Sequence, residues 1–190
     1  MRPLVVTQNM TVDGSIEMLD DWFDPTASPP DQHEILQRDS AACDALLVGR
    51  QTFEDFRGYW PLQEDDRTGI SEELDRLEKY VVSSTMTDPA WQHSTILTGD
   101  PVEAVRALTG TEGREISLTG SITLCHTLIA AGLVDEYRIW TYPYVQGRGR
   151  RLFPEGHRTP LHLLEQRAFS SGVTYTRWAP APASPPEGTS

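Results

Sequence analysis

"ALLVGRQTFEDF", residues 45–56, is the stretch on which the reading of the chain turns. A short apolar run, Ala45 to Val48, passes straight into Gly49-Arg50-Gln51-Thr52 and then into a helix-like pattern. A strand that is apolar on both faces belongs in a parallel sheet covered by helices. The connection to the following helix needs a turn and a cap. It has no use for an arginine and a threonine directly after the glycine. A ligand with phosphate oxygens has a use for both, because a guanidinium and the N–H groups of a helix start bind such oxygens.

The rest of the chain repeats the alternation. "PLVVTQNM" (3–10) predicts a strand and "DQHEILQRDSAACD" (31–44) a helix that includes Cys43. "ISEELDRLE" (70–78) reads as a helix with Ser71 as a candidate cap, followed by strands at "KYVVSS" (79–84) and "STILT" (94–98). "DPVEAVRALTG" (100–110) is a helix with Asp100 at the N-cap, Pro101 in its first position and Gly110 as its stop. "REISLTG" (114–120) is a strand, and "SITLCHTLIAAG" (121–132) a helix closed by Gly132. "DEYRIWTYPYV" (135–145) is a longer strand, and "LHLLEQRAF" with "VTYTRWA" forms a closing hairpin around Ser171-Gly172. The pattern predicts an α/β fold: a mixed, mostly parallel sheet with helices on both faces, the last three strands forming an antiparallel edge. Residues 1–179 are expected to form a single domain. "PTASPP" (25–30) reads as an irregular loop, and residues 180–190, "PAPASPPEGTS", as a Pro/Ala/Ser-rich tail outside the core.

Composition narrows the function. The chain has 190 residues, 38% hydrophobic and 23% charged, with a formal net charge of −12. That charge argues against a nucleic-acid backbone or an anionic membrane as main partner. It leaves room for one small anionic ligand held by local donors. No apolar run approaches the roughly 20 residues that span a bilayer, and the N-terminus is too soon polar for a signal peptide. Cys43 and Cys125 are not in a C-x-x-C, so reduced thiols in a cytoplasmic protein are expected. Cys125 shares a helical face with Ile122, Leu128 and Ile129 and reads as core. His33, His93, His126, His157 and His162 have no metal-ligand spacing, so no metal is expected. No G-x-S-x-G nucleophile elbow is present.

Ligands of open parallel sheets bind at the carboxyl ends of the strands. That rule selects four segments. At "GRQT", Gly49 admits the ligand, Arg50 faces an adenosine phosphate, and Gln51 and Thr52 open a helix. At "SLTGSIT" (117–123), Gly120 and Ser121 reach the first turn of a helix, where unpaired N–H groups and the Ser121 and Thr123 hydroxyls can hold a pyrophosphate; a plain serine cap fits the same residues. At "VVSSTMTDP" (81–89), Ser83, Ser84 and Thr85 fit a turn, or with Arg50 a 2′-phosphate pocket. At "MTVDGSIE" (10–17), Asp13-Gly14 fits a tight turn, or a carboxylate with a raised pKa beside the reacting ring. "QGRGRRLF" contains G-x-G but lacks the third glycine of a dinucleotide fingerprint; it reads as a solvated turn whose arginines are alternatively contacts for an anionic substrate.

"LLVGRQTFEDFRGYWP", "KYVVSSTMTDPAW" and "SLTGSITLCHTLIAAGLVDEYRIWTYPYVQGRGRRLF" resemble, in order and spacing, the dihydrofolate-reductase-like family. The subgroup they most resemble is related to the reductase domain of the bifunctional riboflavin-biosynthesis deaminase/reductase. The likeness covers about residues 3–178. It implies an NADPH-dependent reductase, often a homodimer, acting on a small-molecule substrate. By resemblance, Gly49, Arg50, Gln51 and Thr52 hold the adenosine side of NADPH, and Ser83, Ser84 and Thr85 form the second wall of that pocket. Gly120, Ser121, Ile122 and Thr123 match the glycine-rich turn over the pyrophosphate. Asp13, with Gly14, matches the D-G beside the nicotinamide and is the expected catalytic residue. Two departures stand out: Gly-Gly in the riboflavin enzymes is Gly120-Ser121 here, and Thr7 aligns with their first-strand lysine. The second puts a phosphoribosylamino-pyrimidine substrate in doubt. The helix acid of folate reductases has three candidates, Asp31, Glu34 and Asp39. A dihydrofolate or pteridine reductase and a non-catalytic nucleotide-binding module are the alternative readings.

Overall fold

In the computed structural model, which describes residues 1–27 and 29–181, the chain runs through β1 (Leu4–Thr11), α1 (His33–Ala42), β2 (Cys43–Gly49), α2 (Arg50–Tyr59) and α3 (Ile70–Arg76). It continues through β3 (Glu78–Val82), β4 (Ser94–Leu97), α4 (Pro101–Thr109), β5 (Glu115–Leu118), α5 (Ile122–Ala130) and β6 (Glu136–Tyr142), and closes with β7 (Leu161–Ala168) and β8 (Thr174–Pro180). The sheet order is β4-β3-β2-β5-β1-β6-β8-β7. β1 lies between β5 and β6, parallel to both, and its Leu4, Val5 and Val6 are almost wholly buried.

The expected α/β architecture is present, and the last three strands form the expected antiparallel edge. β6 pairs parallel to β1 and only β8 runs antiparallel, against both β6 and β7. The strand β6 follows the α5 crossover, which returns the chain in the same direction. The stretch from 143 to 160 brings it back again before β7, and β8 then fits between the two. Strand alternation sorts the core into layers. Leu4, Val6, Ala45, Leu47, Ile116 and Leu118 pack with residues of α4 and α5 on one face. On the other, Leu46, Val48 and Val81 meet Phe53, Trp60 and Leu74 of the α2–α3 region.

Element boundaries shift where tertiary pairing outweighs local pattern. Cys43, expected in the helix, opens β2 and pairs with Glu115; both cysteines are buried and free. Ser71 is not the cap of α3. Gly69 holds the N-cap in a left-handed conformation, Asp66 accepts from the Ser71 amide at 2.8 Å, and the Ser71 hydroxyl donates to the Trp60 carbonyl. Asp100 caps α4, accepting from the Glu103 amide at 3.0 Å, with Pro101 first in the helix. β8 extends through Pro180, and the Ala181 amide bonds the Pro160 carbonyl, so the chain stays on the sheet past residue 179. Residues 182–190, most of the expected tail, and Ser28 of the expected loop lie outside the described residues.

What fixes α1 to the sheet bears on the site. Ile35 packs with Trp140, Val173 and Tyr175. Beside this cluster lies a network of three arginines and four carboxylates: Arg38, Arg138 and Arg177 with Asp39, Glu115, Glu136 and Glu165. Arg138, 4% exposed, donates to Glu136 at 2.7 Å and to Glu115 at 2.9 Å. Arg177 donates to both Glu136 oxygens, at 2.7 and 2.8 Å. Burial pushes the Glu136 carboxyl up, but bonds from Arg177 and Arg138 more than offset it and hold it below the usual range. Removing one partner of such a buried network leaves charge uncompensated. Arg138→Met should therefore destabilise the protein by about 3–5 kcal/mol, read as a lower midpoint in urea unfolding. A midpoint unchanged from wild type would show that the network carries no such weight.

Candidate functional site

The strands β2 and β5 are neighbours in the sheet, so the helices that follow them, α2 and α5, start side by side at its carboxyl edge. Neither start has a side-chain cap. The first-turn N–H groups of a helix have no partner within it and carry the positive end of its dipole. Both starts open into one cleft of about 1250 Å³. Gly49, Arg50, Gln51 and Thr52 line it together with Gly120, Ser121, Ile122 and Thr123. These are the two segments that sequence reasoning put on the cofactor.

Side chains lock the two turns to each other. The Gly49 amide donates to the Ser121 hydroxyl at 2.9 Å, and the Ser121 amide donates to the Thr52 hydroxyl at 3.0 Å. Ser121 is thus not a plain helix cap. Gly120 and Ser121 both have positive φ, +55° and +45°. A Cβ on Gly120 would meet Thr52 Cγ2 at 3.0 Å, so a larger residue there crowds Thr52 directly. A Cβ on Gly49 would face Ser121 at 3.8 Å, ordinary contact distance. Close approach of the backbone is therefore needed at Gly120 and not at Gly49. Arg50 is held by Glu54 one turn on, at 3.0 and 3.1 Å, and Gln51 donates to Asp55.

Ser83, Ser84 and Thr85 do not line the cleft. They leave the sheet next to Arg50, because Gly49 pairs with Val82 in the β2–β3 register. The Ser83 hydroxyl is buried and accepts from the Thr85 and Met86 amides at 3.2 and 3.0 Å, closing its own turn. Ser84 and Thr85 are exposed.

Asp13 also lies apart from the cleft. It borders a separate cavity of about 200 Å³ with Ser15, Gly147, Arg148, Gly149 and Arg151. Its carboxylate accepts from the Thr11 hydroxyl at 2.6 Å, the Gly147 amide at 2.8 Å and the Gln146 amide at 3.2 Å. The expectation of a raised pKa is reversed: the Thr11 hydroxyl and the Gly147 amide hold the carboxyl down to about 2. The reason is donor supply, since three donors favour the ionised form over any effect of burial.

Of the three helix acids, only Asp39 lines the cleft. Asp31 is exposed and bonds the Ser170 amide and hydroxyl, which lower its pKa; Glu34 is exposed. Asp39 accepts from Arg38 at 3.0 and 3.1 Å and from the Tyr175 hydroxyl at 2.6 Å. Burial, then the bond to Asp39, pushes the Tyr175 hydroxyl far up. Arg138 lines the same floor and pairs with Thr7 in the β1–β6 register, so a guanidinium stands beside the threonine. Sequence reasoning did not single out Arg138. Its signal was an arginine amid the apolar "EYRIWTY" of β6.

Among the described residues there is no group of three or more His, Cys, Asp or Glu placed to hold a metal, and no helix is long and apolar enough to cross a membrane. Against known proteins, residues 2–175 match the RibD C-terminal domain. The chain belongs to that family. It is 33% identical over 179 residues to the uncharacterized protein YyaP of Bacillus subtilis, covering 90% of this chain and 92% of that one. Its fold is similar to a putative riboflavin biosynthesis protein from Shewanella sp. PV-4, with TM-score 0.70, 18% identity and coverage of 95% and 99% of the two chains. It is also similar to a pyrimidine reductase-like protein from Corynebacterium diphtheriae, with TM-score 0.64, 16% identity and coverage of 95% and 92%. A dihydrofolate reductase from Enterococcus faecalis complexed with NADP(H) shares the fold at TM-score 0.61 and 16% identity, with coverage of 94% and 96%.

The depressed Asp13 pKa has a consequence in acid. The group sits near 3.8 when unperturbed and at about 2 in the folded chain. Its contribution to stability is present above the unfolded value and is lost as pH falls through the folded one. Comparing wild type with Asp13→Asn by urea unfolding from pH 5 to pH 2 should show the wild-type advantage shrinking between those two values. An advantage constant across that range would contradict the assignment.

Proposed function

We propose that this chain is an NADPH-dependent reductase that acts on a C=N or C=O of a small heterocyclic or sugar-derived substrate. Membership of the RibD C-terminal domain family and the reductase-like neighbours support an oxidoreductase of the riboflavin-pathway type. The observation that carries the finer reading is the pair of uncapped helix starts, α2 and α5, opening into one cleft beside Arg50. Such a place suits a pyrophosphate with a further phosphate nearby. The residues present fit the cofactor: Gly120 keeps the turn narrow, and the Ser121 and Thr52 hydroxyls each retain a hydrogen to donate after accepting from an amide.

Bound NADPH would supply the hydride. The chain binds and orients. Arg50 forms the adenosine end of the site, with the exposed Ser84 and Thr85 beside it at the rim; the turns at Gly49–Thr52 and Gly120–Thr123 hold the pyrophosphate. At the floor, Asp39 and Arg138 present a carboxylate and a guanidinium fixed in place by their own network. Fixed charges there orient a polar heterocycle without reorganising as charge develops. Asp39 replaces Asp13 in this reading as the acid that faces the substrate.

We also propose that two copies associate. The edge strand β7 leaves Leu163 and Leu164 nearly half exposed, at 46% and 45%, on a strand with one unpaired edge. A solution mass of twice 21.3 kDa, by light scattering, is expected; a monomer at high concentration would contradict it.

Cofactor preference tests the main reading. A charge-assisted contact from Arg50 to the 2′-phosphate is worth about 1.5–3 kcal/mol, roughly 10- to 100-fold in affinity. Titration should give NADPH that advantage over NADH in wild type and remove most of it in Arg50→Ala. Equal wild-type affinity for the two would overturn the proposal.

A further inference from the structure

The loop "QGRGRR", 146–151, contacts the segment that follows β1, and the contact is reciprocal. Gln146 is 8% exposed and its side-chain amide is fully engaged. Its Oε1 accepts from the Trp22 indole N–H at 2.8 Å and the Leu19 amide at 3.2 Å. Its Nε2 donates to the Ser15 hydroxyl at 2.8 Å, and to the Glu17 and Arg148 carbonyls at 3.0 Å each. In return Asp13 accepts from the Gln146 and Gly147 amides. Ion pairs outside add Arg150 to Glu17 and Arg148 to Asp20, and the Arg151 guanidinium donates to the Asp13 carbonyl. Gly149 is required here: at φ +96°, a Cβ would come 2.5 Å from Ser15 Oγ and 2.9 Å from Gln146 Nε2.

The gripped segment carries part of the cleft. Ile16, Glu17, Met18 and Phe23 all line it, together with Gln8 and Asn9 near the end of β1. The chain between residues 12 and 27 has no helix or strand of its own. Its backbone amide at Leu19 and the Trp22 indole find their partner in one side chain that reaches across from residue 146. The Ser15–Arg151 bridge and the Arg150 contacts to Ile16 and Glu17 hold the start of this wall, and the Gln146 side chain ties down its Leu19–Trp22 part.

We infer that Gln146 is a positioning residue: it holds the Met18–Phe23 part of this wall against the nicotinamide and substrate end of the cleft before any ligand arrives. The inference rests on the NADPH reading. The adenosine phosphate end, at Arg50 and α2, is built on other elements and does not depend on it. Loss of the Gln146 amide leaves the wall in its binding-competent position only part of the time, and apparent affinity falls in proportion to that fraction.

The two ends of the site can be probed separately. Adenosine 2′,5′-bisphosphate occupies only the adenosine phosphate end, whereas NADPH occupies both. Gln146→Ala should weaken NADPH about 10-fold, a wall competent roughly a tenth of the time, and leave the bisphosphate within about two-fold. Calorimetric titration of folded protein, checked by circular dichroism, reads both constants. Trp22→Phe, which keeps a ring beside Phe23 and Tyr142 but removes the indole donor, should act in the same direction and more mildly. It serves if Gln146→Ala does not fold. Equal weakening of both ligands in a folded variant would mean a general structural role and would overturn the inference, as would no change in either. If wild type binds neither ligand, the NADPH reading itself fails and takes the inference with it. If wild type binds both and the variants lose neither, only the role of Gln146 fails.

Discussion

The amide of Gly49 donates to Ser121, and the amide of Ser121 donates to Thr52. Those two bonds hold the starts of α2 and α5 together at the carboxyl edge of the sheet, and the cleft is built outward from them. Each helix start carries the equivalent of about half a positive charge, so two held side by side repel weakly and favour an anion between them. Ser121 holds its place at some cost, since a left-handed conformation disfavours a side chain by roughly 1–2 kcal/mol. Two hydrogen bonds at about 1 kcal/mol each offset that strain. A glycine at 121 would adopt the turn freely but would leave the Gly49 amide without its partner.

Much of this was legible because it is local. An apolar strand followed at once by Gly-Arg-Gln-Thr, or by Gly-Ser-Ile-Thr, states its own geometry: strand, turn and helix start lie within a few residues of one another. The Asp100 cap was readable for the same reason. Strand direction at the edge was not local. Nothing within "DEYRIWTYPYV" says whether β6 joins β1 parallel or antiparallel; the α5 crossover before it does. Nor does the pattern of 31–44 reveal that Cys43 leaves the helix, since its partner Glu115 lies far along the chain.

The acid was harder to read than the two helix-start turns. Asp13-Gly14 looks the same in sequence whether the carboxylate faces a ligand or a neighbouring loop. The decision rests on donors at Gln146 and Gly147, more than 130 residues away. Asp39 had the opposite problem. It was one of three acids in a segment that reads as one helix, and what separates it is contact from α1 to Tyr175 and the buried Arg138 on the sheet. An arginine in mid-strand among apolar residues was the available clue, because a guanidinium is buried only where carboxylates meet it.

The charge of the whole chain and the charge of the site point in different directions, and the distances reconcile them. A net −12 gives an anionic cofactor no long-range attraction. Three of the four cleft arginines add little field of their own while they are paired. Arg50 is bound by Glu54, Arg150 by Glu17, and Arg138 by its own carboxylates. What remains is short-range: helix-start amides, two hydroxyls and a guanidinium that can trade an exposed carboxylate for a phosphate. An exposed pair such as Arg50–Glu54 holds by only a few tenths of a kcal/mol, so that trade is easily made. Surface charge beyond about 8–10 Å is screened in physiological salt, whereas contacts at hydrogen-bond distance in a partly buried cleft are not. An acidic surface of this kind disfavours long-range approach of polyanions while leaving short-range contacts at the helix starts unscreened.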